Sequence, residues 1–277
     1  MNTDNSIQPV TQKINVKKHL LLPLMEWIPR YYSRYYEPFL GAGEVLLALK
    51  PHNAVINNSN EEIINVYKAI KSDYEGLIED LRSHKNEPDY LYYLKKLDQD
   101  DELKNLSQLK RASRTIFLYK INELDCDGKN GTKKNNVPLS HIKSSNLIDE
   151  NKIRTLGSYL NKNSIRILNQ DFETALDGVT KNAFVFFNPS VHININQSDP
   201  NSTFNDGFST NNQIRLKNLC DQLDQRGIRF ILSVPATNDI LDLYRNYQIR
   251  QIKTTITAAS DLHEPKQPAE LFIRNFI

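Results

Sequence analysis

Five consecutive apolar residues, Ala183-Phe184-Val185-Phe186-Phe187, constrain this chain more than any other feature. The run offers no polar face, so as a strand it must be covered on both sides. Arg229 to Val234 (RFILSV) has the same character. Tyr35 to Leu40 (YYEPFL), Ala54 to Asn57 (AVIN) and Ser164 to Leu168 (SIRIL) read as further strands, with Gln248 to Thr257 and Leu271 to Phe276 closing the sheet. Helical patterns lie between them: His19 to Ile28, closed by Pro29, then Glu44 to Leu49, and Asn212 to Arg226, ended by Gly227. Ile240 to Tyr244 reads as a helical turn. In Glu61 to Leu81, residues Ile63, Ile64, Val66, Tyr67, Ile70, Tyr74, Leu77 and Ile78 recur near the helical period of about 3.6, the pattern of a stripe packed on a core. The alternation predicts a doubly wound, Rossmann-like α/β sheet with helices on both faces. Residues 62–160 read as an inserted helical domain, and residues 1–61 and 161–277 as the α/β core.

Composition excludes several classes. A chain of 277 residues with 39% hydrophobic and 25% charged residues can bury a core, so disorder is excluded as its main state. No apolar run reaches about 18 residues, so no transmembrane helix is expected. The start, MNTDNSIQPVTQK, lacks the apolar stretch of a secretion signal. Cys126 and Cys220 are too few for a disulfide framework and lack zinc-site spacing. A reducing, cytoplasmic setting is therefore expected. The net charge of +2 argues against an overall polycation but leaves room for a local basic face.

Four polar or glycine-rich positions fall at the carboxyl ends of expected strands, where open α/β sheets bind ligands. The first is Phe39-Leu40-Gly41-Ala42-Gly43, either a turn that lets a ligand approach the backbone or a tight connection. The second is Asn57-Asn58, either ribose-reading residues or caps of the helix at Glu61, for which Asn60 is itself a good N-cap. The third is Asp171 with Phe172, either a ligand contact or a strand-end turn. The fourth is Asn188-Pro189-Ser190-Val191 after the apolar run. Elsewhere, Asp125 to Asn136 (DCDGKNGTKKNN) is expected to be a solvated loop, since Lys129 and Asn130 stand where a calcium loop needs an oxygen ligand and a glycine. Its Lys129, Lys133 and Lys134 could reach a nucleic-acid groove. The run Lys104, Lys110, Arg111, Arg114 and Lys120 is either a phosphate-contacting face or a solvated one with interleaved acids.

The ordered set EPFLGAG, INNSNEEIINVYKAIK, helical insertion, NQDF, VFFNPSV and RGIRFILS resembles the Dam-type (D12 class) DNA adenine-N6 methyltransferases over nearly the whole chain. NNVPLS at Asn135 to Ser140 resembles a segment of that family's target-recognition insertion. The resemblance implies a methyltransferase sheet that binds S-adenosylmethionine through Lys17, Phe39, Gly41, Gly43, Asn58, Asp171 and Phe172. It implies double-stranded DNA as partner, with an extruded adenine held by the tetrapeptide at Asn188, Pro189, Ser190 and Val191.

The departures concentrate at the chemistry. Asn188-Pro189-Ser190-Val191 replaces the family's Asp-Pro-Pro-Tyr, Asn58 replaces the ribose-binding acid, and Asn15-Val16-Lys17 replaces Gly-Gly-Lys. Glu123-Leu124-Asp125 stands where the family has Phe-Asn-Gly. The expectation is a catalytically degenerate homologue with weak, vestigial or no S-adenosylmethionine binding, serving as a DNA- or protein-partner-binding subunit. The alternative is an active adenine-N6 methyltransferase with a variant tetrapeptide. A third is a structural partner of another protein that binds neither DNA nor cofactor.

Overall fold

The computed structural model describes residues 9–10, 18–98, 102–129, 148–189, 208–252 and 269–277. In chain order the elements are α1 (Lys18–Met25), β1 (Arg34–Glu37), α2 (Glu44–Leu49), β2 (Asn53–Asn57), α3 (Glu61–Ser83), α4 (Pro88–Lys96), α5 (Gln108–Lys129), α6 (Glu150–Lys162), β3 (Ser164–Leu168), β4 (Ala183–Phe187), α7 (Thr210–Gln225), β5 (Arg229–Pro235), α8 (Asn238–Leu243), β6 (Gln248–Ile252) and β7 (Glu270–Arg274). They divide into two compact units, one of 1–16, 40–52 and 58–169, the other of 17–39, 53–57 and 170–277.

The second unit carries the mixed sheet, with its strands in the order β2-β1-β4-β5-β7-β6. β1 pairs in parallel with β2 and β4, and β4 with β5. Every residue of β4 is buried, as a strand with no polar face requires. Tyr35, Phe184, Phe187 and Phe230 interlock around it, with ring centroids 5.8 Å apart for Tyr35–Phe184 and 6.2 Å for Phe187–Phe230. Each ring withdrawn from water contributes about 2–3 kcal/mol to folding. β7 runs antiparallel to both β5 and β6, which departs from a purely parallel sheet. No helical period separates β6 from β7 in the sequence, and a parallel return needs a long crossover, usually helical. On the sheet's flank, α7 is capped by Ser209, whose hydroxyl accepts from the Asn212 N–H, and ends at Gly227 with φ +66°.

The first unit is mainly helical. Asn60 caps α3 by accepting from the N–H groups of Glu62 and Ile63, as the sequence suggested for this residue. α3 is not one straight rod. Asp73 leaves the helical region (φ −156°, ψ 78°) and its carboxylate accepts from the Gly76 N–H at 2.9 Å. The hydrophobic stripe runs through this kink without a break, so its period does not reveal it. α3 packs against α5 and α6. Two members of the basic run are paired within the unit: half-buried Arg111 with Glu61 and Glu62, and buried Arg114 with Asp98 at 2.6 Å and the Leu94 carbonyl at 2.7 Å. Both guanidiniums are committed to acidic partners in this structure. The loop expected from Asp125 begins later than the sequence suggested, because α5 continues through Lys129. A single interior glycine, Gly128, costs only about 1 kcal/mol and does not stop it.

His84 is buried in this unit. Its ring stacks on Phe117 at 4.7 Å, with Nδ1 2.7 Å from the Tyr90 hydroxyl and Nε2 2.8 Å from the Ser113 hydroxyl. Burial holds its pKa below the ordinary value, outweighing the pull of Asp80. A histidine depressed in the folded state stabilises it fully above the unfolded pKa of about 6.5, and that contribution is lost as pH falls below it. The melting temperature is therefore expected to fall between about pH 7 and pH 5. His84→Gln should flatten that fall while lowering the melting temperature at pH 7. Equal slopes for both proteins in thermal melts would contradict the assignment.

Candidate cofactor and substrate site

In the first unit the glycine turn is built by left-handed backbone. Gly41 has φ +53° and Gly43 φ +72°, conformations that favour glycine. The Gly43 N–H closes the turn on the Leu40 carbonyl at 2.8 Å, and α2 starts at the next residue. A Cβ at Gly41 would meet nothing within 4 Å, so its backbone is open to approach. Gly43 is needed for a different reason. The Tyr67 hydroxyl donates to the Ala42 carbonyl at 2.8 Å, and a Cβ at Gly43 would lie 2.3 Å from that hydroxyl oxygen.

Asn58 belongs to the same unit. Its Oδ1 accepts from the Asn60 N–H at 2.8 Å, an Asx turn that leads into α3. Its backbone carbonyl and that of Ser59 accept from Asn169 Nδ2 at 2.8 and 3.0 Å. With Oδ1 engaged locally, Asn58 presents mainly its N–H donors. As a neutral amide it is a weaker acceptor than a carboxylate would be.

The second unit holds the other positions. Asn57 is 1% exposed and fully used: Nδ2 donates to the carbonyls of Pro38 and Gln170, each at 3.0 Å, and Oδ1 accepts from the Gln170 N–H at 2.9 Å. It is a structural clamp that fixes the segment carrying Asp171. Asp171 Oδ1 accepts from the Glu173 N–H at 3.0 Å and from Arg215 Nη2 at 2.8 Å. Arg215 also reaches both Glu173 oxygens, at 3.2 and 2.9 Å, and these two carboxylates raise its pKa. Its guanidinium lies 4.7 Å from the centre of the buried Phe172 ring. Phe39 and Phe208 pack on the same ring at 5.2 and 5.9 Å. Asn188 ends β4 half-buried, and Pro189 after it is buried.

The structure thus brings Phe39, Asp171 and Phe172 into one cluster, and gives Asn57 and Asn58 local hydrogen-bonding roles. Lys129 is the last residue of α5. Lys17, Ser190, Val191, Lys133 and Lys134 lie outside the described residues. Arg215 is the member of the cluster that sequence reasoning missed. The only hint was the acidic pair Asp171-x-Glu173, which calls for a cation without saying which. Among the described residues no group of three His, Cys, Asp or Glu could hold a metal ion, and no helix is long and apolar enough to cross a membrane.

Residues 16–258 match the D12 class N6 adenine-specific DNA methyltransferase family. The chain belongs to that family. It is 30% identical to the type II methyltransferase M1.LlaDCHI of Lactococcus lactis over 98% of this chain and 96% of that protein. It is 30% identical to the type II methyltransferase M.MjaIII of Methanocaldococcus jannaschii, covering 89% of this chain and 91% of that one. The DNA adenine methylase of Haemophilus influenzae is 24% identical over 78% and 76% of the two chains. The mixed sheet with flanking helices is the α/β fold that membership implies.

The Gly43–Tyr67 contact makes a test of the turn. Gly43→Ala should destabilise the protein by about 1–3 kcal/mol, through left-handed backbone and the clash with the Tyr67 hydroxyl. Adding Tyr67→Phe removes the clashing oxygen, so the double change should cost about 1 kcal/mol less than the sum of the single ones. Additive costs in denaturant melts would contradict the close approach.

Proposed function

We propose that this chain is a Dam-like DNA adenine methyltransferase homologue in which methyl transfer is lost or strongly impaired, and which acts by binding double-stranded DNA. The observation that carries the reading is Asn188 at the end of β4. That position follows the buried central strand and is where the family places a carboxylate. A carboxylate accepts the exocyclic amine of an extruded adenine through a charge-assisted hydrogen bond; an amide offers one neutral acceptor. Val191 gives no ring on which the base could stack, a loss of about 1–3 kcal/mol. The Oδ1 of Asn58, already accepting from the Asn60 N–H, offers the ribose only a neutral acceptor with one lone pair left. About 1.5 kcal/mol at each of three such positions multiplies to more than a thousandfold in rate and affinity.

S-adenosylmethionine, when bound, would supply the methyl group. In the second unit Phe39, Asp171 and Phe172 are suited to hold it, by packing and hydrogen bonding. Its binding is weak on this reading, because Asn58 cannot replace a carboxylate. The family description and the name of the Haemophilus influenzae relative, a DNA adenine methylase, support DNA as the macromolecular ligand.

The intact glycine turn and the ordered Asp171–Phe172 pair favour a second reading, an active adenine-N6 methyltransferase with a variant tetrapeptide. Challenge of incubated duplex DNA with restriction enzymes blocked by adenine methylation separates the two. The purified chain should give no protection. Asn188→Asp, Ser190→Pro and Val191→Tyr together should restore it only in part, since Asn58 remains. Protection by the unmodified chain would overturn the proposal, and full rescue by the triple change would clear the cofactor residues of blame.

DNA binding has its own test. Neutralising Lys133 and Lys134 together should weaken duplex binding at all sequences alike. It should also lower the slope of log affinity against log salt by about one to two units, since each phosphate contact releases nearly one counterion. An unchanged slope in mobility-shift titrations would remove these lysines from the interface.

A further inference from the structure

The geometry points to a positioning residue for the purine seat: we infer that Arg215 aims the Asp171 carboxylate so that one oxygen stays available to a purine bearing an exocyclic amine. The inference rests on the proposed reading of Asp171 and Phe172 as cofactor-binding residues. Asp171 lies on a turn beyond β3 with its side chain 42% exposed, where a lone carboxylate would rotate freely. Two donors stop it. The Glu173 N–H and Arg215 Nη2 both converge on Oδ1, at 3.0 and 2.8 Å. Oδ2 has no hydrogen-bond partner among the described residues.

Arg215 is itself held from three directions. Glu173 accepts from its Nε and Nη2 at 3.2 and 2.9 Å, and Asn212 Oδ1 accepts from its Nη1 at 3.1 Å. Its guanidinium rests on the Phe172 ring at 4.7 Å. A planar fork fixed by two carboxylates, an amide and an aromatic face holds one orientation, which a flexible ammonium could not. The outcome is a carboxylate with one oxygen committed to the protein and the other free to accept, beside a buried aromatic ring.

That arrangement discriminates by chemistry. An amine at the purine 6-position donates to Oδ2. An oxo group there sets an acceptor against an acceptor and leaves the carboxylate unpaired. Arg215 therefore governs a preference for adenine over hypoxanthine, and this separates it from an ordinary surface ion pair. A mere surface pair would affect stability and leave the preference untouched.

The test measures the affinity of S-adenosylmethionine and of its 6-oxo (inosine) analogue by ligand-observed NMR at millimolar ligand. The probes are the full chain and its Arg215→Ala, Arg215→Lys and Glu173→Gln variants, with thermal melts as a check of folding. The native chain should prefer the amino ligand by about tenfold, the effect of one hydrogen bond of ordinary strength. Arg215→Ala should weaken the amino ligand by about the same factor while leaving the oxo ligand within about twofold, erasing the preference. Arg215→Lys keeps the charge and should recover part of it. Glu173→Gln loosens the anchor without touching Asp171, and should fall between native and Arg215→Ala even if the alanine variant folds poorly. An unchanged preference in Arg215→Ala, equal weakening of both ligands, or a native chain that binds both alike would each overturn the inference. A native chain that binds neither would overturn it together with the cofactor part of the proposed function, while duplex binding in a mobility shift would leave the DNA-binding part standing.

Discussion

A single buried amide ties together the turns at the carboxyl ends of the second unit's strands. Asn57 closes β2 with its side chain 1% exposed, and its one acceptor and two donors are all met by backbone groups of Pro38 and Gln170. A buried amide left unpaired would cost about 1–3 kcal/mol for each orphaned group, so full pairing is the condition for having it there. Those three bonds tie the chain beyond β1 to the segment that carries Asp171 and Phe172. The aromatic packing of Phe39 on Phe172, and the reach of Arg215 to Asp171, depend on where that segment is held.

Much of the fold was legible because it depends on hydrophobic periodicity. β3 and β4 fall on the residues their apolar patterns indicate, and α3 and α7 extend by only a few residues beyond theirs. What the pattern did not show were features set by single contacts. The kink at Asp73 is accompanied by one side-chain bond to a backbone N–H. The persistence of α5 through Lys129 depends on the small cost of one glycine set against continued helix formation. The antiparallel direction of β7 depends on tertiary pairing rather than on composition.

The candidate site residues were legible as positions at strand ends, because glycine turns and polar residues there stand out against apolar strands. Their partners were not. Asn58 spends its acceptor on the turn into α3, an economy visible only when the distance to the Asn60 N–H is known. Arg215 lies 44 residues from Asp171 along the chain, on a helix whose own sequence gives it no distinction. For Arg111 and Arg114 the sequence left a phosphate-contacting and a solvated face open, and did not show the acidic partners that helix packing brings to them.

The chain belongs to the family, and the proposed function rests on reading Asn188, Val191 and Asn58 as replacements of polar contacts that catalysis requires. Isothermal titration of the purified chain with S-adenosylmethionine tests that reading most directly. A weakened ribose contact predicts measurable but weak binding, with a Kd above about 100 μM. A Kd in the low micromolar range, about −8 kcal/mol, would show a cofactor site in working order and contradict the account.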